Sequence, residues 1–216
     1  MAAIASALDR EVEELTERVR RSLVRIQNGH GGAGAGAIWH PDGLILTNAH
    51  VIGRRSRVVV ADGVEREAKV LAVDTKRDLA ALSVEASGLP AIELGSSRSL
   101  RPGEWVIAVG HPWGLEGAAT AGVVIGVGDL PGLPAEGREM IAASLHLRPG
   151  DSGGVLVDAA GRLVGINTMM AGPDLGLAVS VDEAKRFARR ALGSRGKEAD
   201  WGSLPAGLSL ERTGCV

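Results

Sequence analysis

Two hydrophobic periods divide the chain. At its start Ile4, Leu8, Val12, Leu15, Val19, Leu23 and Ile26 recur in steps of three or four, with Glu and Arg between them. That spacing lays one apolar stripe along a helix and predicts an N-terminal amphipathic helix over residues 1–22. The stripe suits packing on the body of the protein or against another subunit. A membrane-surface helix fits less well, because the polar face mixes charges instead of being basic. From residue 23 the pattern shortens to apolar runs bounded by Gly, Pro, Asp and Asn, the signature of strands. Twelve strands are predicted, at 23–28, 34–39, 43–48, 57–61, 67–73, 79–84, 104–109, 120–127, 139–144, 154–157, 162–168 and 175–179. Pro41-Asp42-Gly43, Ala61-Asp62-Gly63 and Asp158-Ala159-Ala160-Gly161 mark turns between them. Six strands fall on each side of a connector near 85–103, so two barrels are expected, about 23–90 and 100–180. Ser180 and Glu183 form a capping box that opens a second helix over 180–192, and Gly193 is placed to stop it. Residues 194–216 read as a loosely ordered tail, too short for a further peptide-binding domain.

Composition narrows this picture. Of the 216 residues, 45% are hydrophobic but only 2% aromatic, so the core must be built from Val, Leu, Ile and Ala. A net charge of −2 gives no pull toward nucleic acid or an anionic membrane. The lone cysteine, Cys215, allows no internal disulfide, which fits a reducing or bacterial setting. No run approaches the ~18 apolar residues of a membrane span. Residues 1–9 lack a basic segment followed by a long apolar one, so no signal peptide is read. A cytoplasmic location is therefore expected on this sequence, or a periplasmic or extracellular one if an upstream segment has been removed. The run Gly31-Gly32-Ala33-Gly34-Ala35-Gly36 lacks the helix and the Lys-Ser/Thr of a phosphate loop, and reads as a turn or bulge.

The candidate chemistry centres on Gly150-Asp151-Ser152-Gly153-Gly154. Glycines beside a serine let the backbone turn so that N–H groups can face a developing oxyanion. A serine hydroxyl needs a base at neutral pH, and all five histidines (His30, His40, His50, His111, His146) precede Ser152. That order excludes the α/β-hydrolase arrangement, in which the histidine follows the serine. The subtilisin order could be met by Asp42 and His50, but it needs helices between strands, and none is read from 57 to 179. The order His50, Asp78, Ser152 on an all-β chain is that of chymotrypsin. His50 ends the apolar run Leu44-Ile45-Leu46-Thr47-Asn48-Ala49, and Asp78 stands where the charged Lys76-Arg77 gives way to Leu79-Ala80-Ala81-Leu82. Each also has an ordinary reading: a structural histidine at a strand end, and a solvated Arg77–Asp78 ion pair.

Taken together, Thr47-Asn48-Ala49-His50-Val51, Arg77-Asp78-Leu79-Ala80, Ala108-Val109-Gly110-His111-Pro112-Trp113-Gly114-Leu115, Arg148-Pro149-Gly150-Asp151-Ser152-Gly153-Gly154 and Leu163-Val164-Gly165-Ile166-Asn167-Thr168 resemble successive blocks of the HtrA/Deg-type trypsin-like serine proteases. The resemblance covers about residues 20–192. It implies a chymotrypsin-like double six-stranded β-barrel with a helix at each end, acting as a serine endopeptidase on unfolded or misfolded polypeptides. The implied catalytic residues are His50 (base), Asp78 (orienting carboxylate) and Ser152 (nucleophile). The oxyanion hole would come from Gly150, Asp151 and Ser152, with the Gly150 and Ser152 N–H groups as donors. No metal or organic cofactor is implied. Assembly as a homo-oligomer, a trimer in many relatives, is also implied.

By the same resemblance the substrate side-chain pocket lies between residues 143–148 and the strand 175–179. Leu145, His146, Leu177 and Ala178 are its candidate lining, with His146 equally suited to an exposed loop. Neither segment holds a carboxylate, which argues for an aliphatic residue before the cut bond. Trp113 could contact the oxyanion loop or simply pack. Three residues depart from the family pattern: Asp151, Ser144 and Arg148, where Asn, Asp and Asn are common. The Asp151 carboxylate must find an arginine or backbone N–H groups, and the oxyanion loop is a candidate for ordering only on substrate binding or assembly. The alternative function is a protease fold retained as a non-proteolytic chaperone or binding module.

Overall fold

The computed structural model describes residues 2–29, 33–53, 55–133 and 137–192, with side chains in the first helix given from Asp9 onward. Helix α1 (Ala2–Arg20) ends before the apolar stripe does. The Ser22 amide closes on the Val19 carbonyl at 2.9 Å, and Leu23 and Ile26 then belong to strand β1 (Leu23–Gln27). Steps of three and four thus ran unbroken from a helix into a strand whose inward residues happened to continue them. Leu15 and Val19 are buried in the shared core, so this part of the stripe packs on the protein's own barrels.

The first sheet contains β1, β2 (Ala33–His40), β3 (Leu44–Thr47), β4 (Arg57–Val59), β5 (Glu65–Glu67), β6 (Lys69–Asp74) and β7 (Leu79–Ser83). Its antiparallel order is β5-β4-β1-β2-β3-β7-β6, one strand more than predicted. The extra strand arises because the stretch read as one breaks at Ala68, whose amide turns to the Ser56 carbonyl at 3.1 Å. Since β5 and β6 are consecutive, both edges of the sheet belong to one kinked segment, and the sheet wraps around. The second set is a closed six-stranded barrel, β10-β13-β12-β11-β8-β9, made from β8 (Trp105–Gly110), β9 (Ala118–Gly128), β10 (Met140–Ala143), β11 (Val155–Asp158), β12 (Leu163–Gly172) and β13 (Leu175–Ser180). The connector between them ties to both. Ile92 donates its amide to the Ile38 carbonyl at 2.9 Å, and the Glu93 carbonyl accepts the Leu163 amide at 2.8 Å.

Aliphatic residues fill the interior, as the scarcity of aromatics requires. Ile26, Ile38, Ile45 and Leu82 pack inside the first barrel, and Ile141, Leu156 and Val164 inside the second. A third cluster joins Leu46, Leu79 and Ala81 of the first barrel to Val155, Ile166 and Leu177 of the second, so the barrels are welded by a common apolar layer. Burial at roughly 25 cal/mol per Å² makes that layer the main force holding the halves together.

Helix α2 (Val181–Ala191) follows the last strand. Ser180 caps it, its hydroxyl accepting the Glu183 amide at 3.1 Å. The other half of the capping box is not made. Glu183 instead reaches Arg77 at 2.7 Å and Arg186 at 2.7 Å, while Arg77 also pairs with Asp74 at 2.9 Å. The solvated Arg77–Asp78 pair is thus replaced by a clamp from α2 onto the β6–β7 turn. Gly193 and the tail at 194–216 lie outside the described residues, as do His30, Gly31 and Gly32.

Replacing Ser180 by Ala removes a buried cap acceptor and should cost about 1–2 kcal/mol. A thermal midpoint lowered by about 2–8 °C would reflect that loss. An unchanged midpoint would mean the cap contributes nothing.

Candidate active site

Strand β3 is buried along its whole length and ends at Thr47, whose hydroxyl donates to the Ala35 carbonyl at 2.7 Å. A single 3₁₀ turn, Ala49–Val51, then lifts His50 to the surface while Val51 stays in the core. Asp78 occupies the β6–β7 turn with φ +54°, a left-handed conformation that Asp tolerates better than most residues. Its carboxylate accepts from the His50 ring Nδ1 at 2.8 and 3.0 Å and from the His50 amide at 3.1 Å. A carboxylate only accepts, so Nδ1 carries the proton and Nε2 is left as the basic nitrogen. The hydrogen bond to Asp78 raises the His50 pKa above its ordinary value. Partial burial opposes the rise, and the carboxylate charge adds to it.

Ser152 sits in the loop between β10 and β11, inside a lattice of backbone bonds. The Pro149 carbonyl accepts the Trp113 amide at 3.0 Å, and the Gly150 carbonyl accepts the His111 amide at 3.1 Å. The Ser152 carbonyl accepts the Ala35 amide at 2.8 Å from the other barrel. Gly150 (φ +106°) and Gly153 (φ +79°) are required here. A Cβ on Gly150 would meet the His111 carbonyl oxygen at 2.3 Å, and one on Gly153 would meet the Ala35 carbonyl oxygen at 2.1 Å. Among the described residues the N–H groups of Gly150 and Ser152 have no hydrogen-bond acceptor. The Ser152 hydroxyl donates to the Thr168 carbonyl at 3.0 Å, and no hydrogen bond links it to His50.

Asp151 is buried, and burial pushes its carboxyl pKa up against the opposing pull of the Arg148 amide and charge. The Arg148 amide donates to it at 2.8 Å, so a backbone N–H satisfies the carboxylate. The Arg148 guanidinium lies 5.6 Å from the Trp113 ring centroid, over an indole that is 69% exposed at φ +52°. Trp113 therefore contacts the oxyanion loop through both its amide and its ring. His111 behind it is buried, and that burial lowers its pKa.

The four candidate pocket residues separate. Leu145, Leu177 and Ala178 are buried, with Leu177 in the layer between the barrels. Leu145 packs over Gly176, where a Cβ would lie 2.5 Å from its Cδ1. His146 is exposed and lies 3.4 Å from Asp174, a carboxylate just outside the segments considered from sequence. Met170 packs against the buried cluster that contains Leu145, Leu147 and Ala178, its sulfur accepting the Leu147 amide at 3.1 Å. The two segments thus share one apolar cluster.

Sequence reasoning gave no role to Asn48, Thr168 or Met170. Asn48 carried a usable signal: a polar amide closing a run of buried apolar residues.

A profile of the trypsin-like peptidase domain matches residues 34–166. The putative serine protease HhoB of Synechocystis sp. is 39% identical over 173 residues, covering 77% of this chain and 41% of that protein. A probable periplasmic serine endoprotease DegP-like of Ectopseudomonas mendocina is 36% identical over 178 residues, covering 76% of this chain and 37% of its own. Among solved structures, the HtrA-type protease AlgW with tripeptide aligns with a TM-score of 0.74 and 31% identity, over 80% of this chain and 60% of that one. The chain spans less than half the length of these two curated relatives.

The Asp78 contact has a direct consequence. The His50 ring should titrate above its ordinary value of about 6.5, staying protonated further up the pH scale, and Asp78→Asn should bring the midpoint down. NMR titration of the ring protons checks both. A midpoint indifferent to the substitution would contradict the contact.

Proposed function

The chain belongs to the trypsin-like peptidase family, among its HtrA/Deg-type serine proteases, and from that premise we propose that it is a serine endopeptidase acting on unfolded or misfolded polypeptides. The observation that carries the reading is the His50 Nδ1–Asp78 contact at 2.8 Å, which leaves Nε2 basic beside a glycine-turned serine loop from the other barrel.

In the proposed reaction the Ser152 hydroxyl leaves the Thr168 carbonyl by rotation about χ1 and turns to His50, a small rearrangement of the kind common when substrate arrives. Its Oγ attacks the peptide carbonyl while Nε2 takes the proton. The N–H groups of Gly150 and Ser152 receive the oxyanion, each worth about 3–4 kcal/mol of barrier. His50 then protonates the leaving amine, and a water molecule deprotonated by His50 hydrolyses the acyl-enzyme. Asp78 holds the tautomer and stabilises the imidazolium. The apolar packing of Leu145, Leu147 and Met170 supports a small or medium aliphatic residue before the cut bond.

Self-association belongs to the same reading. Trp105 on β8 and Ile125 on β9 are 63% and 50% exposed, an apolar face suited to a second copy, and sedimentation of the native chain decides the assembly. The word periplasmic in the DegP-like relative's name supports the exported alternative over the cytoplasmic one. The resting bond from Ser152 to Thr168 would also suit a dormant binding module, so activity must be measured.

Fluorophosphonate labelling and casein hydrolysis should both be present in the native chain and absent in Ser152→Ala, with turnover lower by roughly a millionfold. Labelling that persists in the alanine variant would remove Ser152 as nucleophile. Strong preference for cleavage after Arg would overturn the aliphatic pocket.

A further inference from the structure

We infer that Asn48 is a positioning residue that holds the Asp78, Ser152 and Thr168 segments in register through one buried carboxamide. Its side chain is fully buried at the end of β3, two residues before His50. The Nδ2 group donates to the Asp78 carbonyl at 2.9 Å and to the Thr168 hydroxyl at 2.8 Å. The Oδ1 atom accepts the Gly153 amide at 2.7 Å, an amide that also reaches the Asn167 carbonyl at 2.8 Å. Both amide protons and the amide oxygen are therefore used.

The partners fix which way the amide points. Reversed, its oxygen would face the Asp78 carbonyl and its NH₂ group would face the Gly153 N–H, so both contacts would turn repulsive. No other side chain meets this demand. Aspartate cannot donate, leucine has the shape without the bonds, and glutamine displaces the group by a methylene.

Each bond lands next to a reacting group. The Asp78 carbonyl belongs to the residue held at φ +54°, so the Asn48 bond helps keep the carboxylate in place for His50. Gly153 follows the nucleophile and itself sits at φ +79°. Thr168 supplies both the hydroxyl that Asn48 bonds and the carbonyl on which the Ser152 hydroxyl rests. Asn48 thus spans the seam between the barrels at the point where the two halves of the site meet. It touches no substrate atom and acts through alignment, for which displacements of about 1 Å can cost about a hundredfold in rate.

This inference rests on the peptidase reading, and the test separates the two. Asn48→Ala, Thr168→Val and the control Ile38→Ala, which hollows the first barrel at the end of β2 away from Gly34, are compared by thermal midpoint, steady-state kinetics and His50 titration. Asn48→Ala should lower kcat about 10- to 100-fold with KM little changed, and should move the His50 midpoint down as Asp78 loosens. Thr168→Val, which keeps the carbonyl but loses the hydroxyl, should show a smaller loss of the same kind. Ile38→Ala should lower the thermal midpoint without either effect. If Asn48→Ala loses no more kcat than Ile38→Ala and leaves the His50 midpoint in place, the role is purely structural and the inference fails. If the native chain neither labels nor cleaves, the peptidase reading fails, and the His50 titration alone still decides for or against Asn48.

Discussion

The site exists because a loop of the second barrel comes within hydrogen-bonding distance of strands β2 and β3 of the first. That approach is a steric constraint before it is a chemical one. A Cβ on Gly34 would lie 2.7 Å from Val51 and 3.0 Å from the Ser152 carbonyl oxygen, and one on Gly153 would lie 2.2 Å from the Thr47 hydroxyl. Only with bare backbone on both sides can the Ala35 amide reach the Ser152 carbonyl. The apolar layer around Leu46, Leu79, Val155 and Ile166 brings the barrels together. The glycines and the Asn48 amide then set the register to a fraction of an ångström, which hydrophobic burial, being non-directional, cannot do.

A second tie reaches the same place from behind. Glu183 on α2 grips Arg77, and Arg77 grips Asp74, so the turn bearing Asp78 is held from the helix side while Asn48 holds its carbonyl from the cleft side. Asp78 can therefore stay in a left-handed conformation costing on the order of 1 kcal/mol, with its carboxylate aimed at both the amide and the ring of His50. Contacts from the first barrel and from α2 compensate that strain.

Much of this was legible in the sequence, for identifiable reasons. Short apolar runs between turn residues marked both barrels, because strand periodicity and turn chemistry are local. The order His50, Asp78, Ser152 and the glycines around the serine marked the candidate site, because reactive types at fixed order leave few arrangements open. The break at Ala68 was not legible, since its cause is a partner, Ser56, distant in the chain. The end of α1 was read to within two residues, even though Leu23 and Ile26 extend its helical period by coincidence, because apolar runs of strand length begin at residue 23. Glu183, which grips Arg77 from α2, lies 106 positions away and the partners of Asn48 lie 30 to 120 away, and no local pattern encodes such pairings. The glycine run at 31–36, read as a turn or bulge, overlaps the strand read at 34–39, and its residues from Ala33 onward belong to strand β2, where small residues make room for the Ser152 loop.

The account turns on three side chains from two barrels acting at one point. The most direct measurement is a crystal structure of the native chain inactivated with a peptidyl boronate or fluorophosphonate. The account predicts a covalent bond from Ser152 Oγ, the His50 Nε2 within about 3 Å of it, Asp78 still on Nδ1, and the adduct oxygen held by the amides of Gly150 and Ser152. An adduct on another residue, or a Ser152 adduct with His50 turned away and those amides unoccupied, would contradict it.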